Sequence, residues 1–131
     1  MISNPNDGWC DFKLGDFVGR PSYMTSVPID LIECFFEYFW RGSSSVYFDE
    51  EGTKFTFVLS DTEVFIIRNG ENPTLYKFDI VPQDLCIELL KDLEGNEQEW
   101  VDKFYIDPIP SERIRHYNEL INKVAVLRNE L

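Results

Sequence analysis

The chain has 131 residues, 44% of them apolar and 15% aromatic, which is enough for one domain with its own core and too few for two. Its 24 acidic residues outnumber 12 basic ones, leaving a formal charge of −12. That balance excludes the cationic surface needed to bind nucleic acid or an anionic membrane, and the aromatic content excludes wholesale disorder.

Residues 1–25 read as an irregular segment. Trp9, Phe12, Phe17 and Tyr23 are spaced among the turn-formers Gly15, Gly19 and Pro21, with one short strand expected at 9–13. The opening stretch has neither the basic start nor the apolar run of a secretory leader. Cys10, Cys34 and Cys86 are odd in number and widely separated, the pattern of reduced thiols in a cytoplasmic protein. Residues 26–40 then predict a helix, with Pro28 and Asp30 suited to its first turn and Arg41-Gly42 to its end. Its apolar face is expected to carry Ile29, Ile32, Phe35, Phe36, Phe39 and Trp40, leaving Asp30, Glu33 and Glu37 on a narrow opposite strip.

Strands are predicted at 45–49, 54–59, 63–68 and 75–80, separated by turn signals short enough to force antiparallel pairing. Val64-Phe65-Ile66-Ile67 is apolar on both faces, as a covered central strand would be. Residues 82–94 predict an amphipathic helix with Leu85, Cys86, Leu89, Leu90 and Leu93 inside and Asp84, Glu88 and Asp92 outside. A short helical segment follows at 97–104, and Pro108 and Pro110 break the chain. A last helix from 111 to about 129 is expected to bury Ile114, Tyr117, Ile121, Val124 and Leu131. The whole reads as a single α+β domain over 1–131, in which an antiparallel meander of about four strands (45–80) packs with an N-terminal helix and C-terminal helices. Its parts are the irregular segment 1–25, a helix–sheet–helix core 26–107 and the C-terminal helix 111–130.

Catalytic parts are scarce. His116 is the single histidine, so no two-histidine metal site exists, and the cysteines lack the local pairing of a zinc knuckle. No phosphate-binding loop, nucleophile elbow or calcium loop is present. The expectation is a protein without catalysis, metal or cofactor. Acidity is the feature that remains. Between 79 and 107 stand nine acids (Asp79, Asp84, Glu88, Asp92, Glu94, Glu97, Glu99, Asp102 and Asp107) against Lys91 and Lys103. Like charges placed together cost stability, so such a cluster points to a surface that meets a basic partner. The predicted interface is an acidic ridge of Asp84, Glu88 and Asp92, extended by Glu97, Glu99 and Asp102. Ile87 and Trp100 would be its apolar anchors, although a tryptophan in so short a segment is more often core than anchor. The strip Asp30, Glu33 and Glu37 is a secondary candidate.

This profile resembles the small acidic immunity proteins that protect bacteria against polymorphic and contact-dependent toxins. The segments Ser45-Val46-Tyr47-Phe48-Asp49-Glu50-Glu51-Gly52 and Phe78-Asp79-Ile80-Val81-Pro82-Gln83-Asp84-Leu85 carry the likeness, together with the charge and the missing catalytic set. The resemblance implies a cognate basic toxin, a nuclease above all, whose cationic site is occluded by carboxylates standing in for phosphates. Two other readings stay open: an acidic adaptor or regulatory domain, and a small-molecule site among Phe36, Tyr38, Trp40 and the sheet.

Overall fold

The structure, a computed structural model, describes residues 1–106 and 109–131, so Asp107 and Pro108 of the sequence reading lie outside the described residues. Where the sequence suggests an irregular start, the chain forms a three-stranded antiparallel sheet of β1 (Ile2–Asn6), β2 (Trp9–Leu14) and β3 (Phe17–Gly19). The cause is local. Asp7 and Gly8 both take positive φ, 49° and 83°, as a two-residue hairpin turn between right-twisted strands demands. Cys10, Phe12 and Leu14 alternate inward along β2, burying one face of the small sheet.

Helix α1 (Val27–Arg41) follows, with Pro28 in its first turn and Asp30 near its positive end. Gly42 closes it at φ 87°, a left-handed conformation that lets its N–H reach the Tyr38 carbonyl. The buried stripe runs through Val27, Leu31, Ile32, Cys34 and Phe35. It stops short of the helix end: Trp40, assigned by periodicity to the apolar face, is 79% exposed. In the last turn of α1, Tyr38 and Phe39 pack partly against the core while Trp40 faces away from it.

The predicted meander is present as a four-stranded antiparallel sheet in the order β4 (Ser43–Asp49), β5 (Lys54–Ser60), β6 (Glu63–Asn69) and β7 (Thr74–Phe78). Its inner face buries Phe48, Phe55, Phe57, Leu59, Val64 and Ile66. The expectation that β6 is covered on both sides fails. Phe65 and Ile67 are only half-buried on the outer face; Leu75, paired with Ile67, is 55% exposed, and Tyr47, two strands away on β4, is 57% exposed. An antiparallel sheet needs only one face against the core, and this one leaves its outer side to water.

The two sheets meet through aromatic rings. Phe12 sits 5.1 Å from Phe55, 5.9 Å from Phe57, 6.0 Å from Phe17 and 6.1 Å from Phe48 between centroids. Arg68 braces the junction from outside, lying 4.8 Å over the Phe17 ring and donating to the Val18 carbonyl at 2.7 Å.

Helices α2 (Pro82–Leu93), α3 (Glu97–Lys103) and α4 (Pro110–Glu130) complete the described residues. The inner face of α2 is the predicted one. That of α4 is not. It buries Leu120, Val124 and Leu127, while Ile114 is 62% exposed, Leu131 is exposed and Tyr117 and Ile121 are half-buried. The packing against α1 and α3 selects an i, i+4, i+7 stripe in the second half of the helix, while in the first half Tyr117 packs only partly against the core.

Candidate functional site

The chain leaves β7 at Phe78, crosses through Asp79-Ile80-Val81, and enters α2 at Pro82. Pro82 suits the first helical turn because its missing N–H would have no partner there, and Asp84 in the same turn complements the helix dipole. This crossing opens a cleft of about 540 Å³ between the sheet edge and α2. Four exposed carboxylates line it: Glu63, Asp79, Asp84 and Glu88. The apolar side chains Phe78, Ile80 and Val81 line it too, Val81 being 43% exposed. Among the described residues none of the four carboxylates has an ion-pair partner. Glu63 was not singled out from the sequence. Only the β6–β7 pairing brings it beside residues that follow it by sixteen or more positions.

The rest of the predicted ridge is dispersed. Asp92 accepts the Ile2 N–H at 3.0 Å and pairs with the Met1 amine at 2.8 Å, so it ties β1 to α2 instead of facing a partner. Trp100 is 2% exposed, edge-on to Phe104 at 6.0 Å, with its indole N–H 3.4 Å from the Asp92 carbonyl oxygen. Trp100 is therefore a core residue and not the surface anchor that its acidic neighbours suggest. Ile87 is half-buried and lies outside the cleft lining. Glu97 is half-buried, Glu99 pairs with Lys103 at 3.4 Å, and Asp102 accepts from Gln98 at 2.9 Å. Asp92 and Glu99 border a groove with Pro5 and Asn96, whereas Asp102 borders another with Arg113 and Tyr117. The turn at Gly95-Asn96 starts α3 as a separate helix, so its acids cannot continue the face of α2.

The secondary strip on α1 is mostly neutralised. Glu33 pairs with Lys123 at 3.1 Å and Glu37 with Arg41 at 3.7 Å. Asp30 is half-buried, and burial, with a further push from Glu33, raises its pKa from 3.8 to about 6. A raised carboxyl contributes its stability below the unfolded value and loses it as pH climbs through the folded one. Asp30→Asn should therefore match the native chain at about pH 3, below the unfolded value, and exceed it at about pH 7. That rise corresponds to roughly 3 kcal/mol, which partial solvent exposure reduces to about 1 kcal/mol. Urea midpoints of both proteins at the two pH values check this, and an equal difference at both would refute it.

Phe36 and Trp40 do line a hollow, but not the one expected with Tyr38 and the sheet. Tyr38 turns away to donate its hydroxyl to the Asp61 carbonyl. The hollow is an open groove of about 590 Å³ formed by the last turns of α1 with Glu130 of α4.

A further polar cluster went unread in the sequence, because its members are far apart along the chain. The Ser26 hydroxyl lies 2.6 Å from that of Tyr105, whose ring stacks on His116 at 4.6 Å and 11°. Burial pushes the Tyr105 phenol up to about 12, so it keeps its proton at neutral pH and acts as a strut between α1 and α4. Burial likewise raises the thiols of Cys10, Cys34 and Cys86 to about 12, 11 and 12, which keeps them protonated and poor nucleophiles. Among the described residues, no group of three or more His, Cys, Asp or Glu side chains could hold a metal ion, and no helix is long and apolar enough to cross a membrane.

The fold and the cleft define an acidic α+β domain with a mixed apolar and anionic surface. Comparison with protein-family models, with curated proteins and with solved structures finds no match.

Proposed function

We propose that this chain is a non-catalytic binding domain whose cleft between β7 and α2 docks a basic protein, in the manner of an immunity protein that blocks a cognate toxin. The observation that carries this reading is the set Glu63, Asp79, Asp84 and Glu88, four exposed carboxylates without ion-pair partners among the described residues, beside exposed apolar surface. Elsewhere the chain matches many of its acids to its own cations, as with Glu33, Glu50, Glu94, Glu99 and Glu112. Here it does not. Arginine–carboxylate pairs are strong and directional, and the apolar side chains supply area that can be dried on contact. A nuclease presents such arginines and lysines where it holds substrate phosphates, so a group of carboxylates would occlude that site by taking the place of the phosphates. The field of a −12 molecule would also speed the encounter.

The test is co-purification with the product of the neighbouring gene, followed by association kinetics. The triple variant Glu63→Lys, Asp84→Lys, Glu88→Lys should associate at least about tenfold more slowly at low salt while remaining folded, with only the small loss of stability that a lysine in the first turn of α2 brings. Association at the native rate would show that this cleft is not the docking face.

A further inference from the structure

Three tryptophans occupy three different environments: Trp100 is buried, Trp9 is half-buried, and Trp40 is 79% exposed. An indole left in water forgoes roughly 2 kcal/mol or more of burial, and tryptophan is the side chain most enriched at the energetic centre of protein interfaces. Phe36, Phe39 and Trp40, spaced i, i+3 and i+4, share one side of α1 and line the open groove with Glu33, Glu37 and Glu130. Rings bordered by carboxylates fit a cation whose flat or methylene parts can lie on an aromatic face.

The molecule already shows how. The Arg41 guanidinium lies 4.9 Å from the Trp40 ring centroid and 3.7 Å from a Glu37 carboxylate oxygen. That contact is weakly held, since the side chains of Arg41 and Glu37 are 60% and 49% exposed and an exposed i, i+4 pair contributes only about 0.3–0.5 kcal/mol. Glu130 has no ion-pair partner among the described residues.

We propose that this groove is a second docking point, which receives an arginine side chain from a basic segment of the protein partner, with Arg41 occupying the place until it arrives. The proposal rests on the reading that the partner is a basic protein. The incoming guanidinium stacks on Trp40 and takes Glu37 and Glu130 as its carboxylates, while Arg41 swings into solvent. An anionic membrane is repelled by Glu37 and Glu130, and a second copy of this chain would bring those acids against its own.

The probe is a nona-arginine peptide, titrated while the indole N–H resonance of Trp40 is followed by NMR. The Trp40 signal should shift, and Trp40→Ala should weaken binding at least about fivefold without lowering the melting temperature, because the ring is exposed. Arg41→Ala should tighten binding two- to threefold relative to Lys13→Ala, which makes the same charge change at an exposed site on β2. These contrasts separate a seat on Trp40 from general attraction to an acidic protein. Native affinity in Trp40→Ala, or no difference between Arg41→Ala and Lys13→Ala, overturns the inference. If the triple cleft variant still weakens binding in that case, the proposed function survives; if that variant too binds normally, both fall. Concentration-dependent dimerisation that Trp40→Ala abolishes would assign the groove to a second copy and likewise overturn the proposal.

Discussion

Phe12→Ala is expected to lower the free energy of unfolding by about 3–5 kcal/mol, the range for removing a fully buried phenylalanine. Phe12 is the ring through which the N-terminal sheet meets the meander, with centroids of four other phenylalanines between 5.1 and 6.1 Å away. Its removal leaves a hole between two layers whose strands cannot close up without breaking the Phe12–Gly19 pairing of β2 with β3. Domains of this kind are stable by about 5–15 kcal/mol in total, so the variant should be marginal. Urea unfolding followed by circular dichroism measures the loss. Phe12→Leu, which keeps most of the volume, should cost under about 1.5 kcal/mol. A loss below about 1 kcal/mol in the alanine variant would mean that the two sheets do not depend on this contact.

Trp100→Ala should be comparably damaging, at about 3–5 kcal/mol, with a fall in melting temperature on the order of 10–20 °C. The indole fills the space between α3, the end of α2 and β1, against Phe104 and under the Asp92 carbonyl. A thermal melt distinguishes this role from that of an interface anchor. An anchor lost from the surface would leave the melt unchanged and weaken partner binding; a core residue does the reverse, provided binding is measured well below the transition.

The contrast between Trp100 and Trp40 shows where periodicity stops being informative. Each lies on a helix among acids, and each has apolar neighbours at helical spacing. What separates them is whether another layer of the fold arrives at that point. A short helix such as α3, seven residues long, holds its place only by burying its largest side chain. The last turn of a fifteen-residue helix needs no such support, so α1 can leave Trp40 uncovered. The Asp84–Asp92 face was legible as far as Glu88; Asp92 left it because β1 came to rest against the end of α2. The N-terminal sheet was legible in principle, since Asp7-Gly8 is a hairpin signal and Cys10, Phe12 and Leu14 alternate. Interspersed turn-formers masked the hairpin, so only the strand at 9–13 was expected.

From its order of residues alone, this protein was committed to an acidic α+β chain with a four-stranded meander, a leading amphipathic helix and a leucine-faced α2, because alternation, helical period and turn chemistry are properties of neighbours in the chain. Which carboxylates stand unpaired around a common cleft, and which aromatic rings meet water, depended on contacts between residues tens of positions apart. Those contacts are set by how layers stack, and a side chain's own neighbours in the chain carry no record of that.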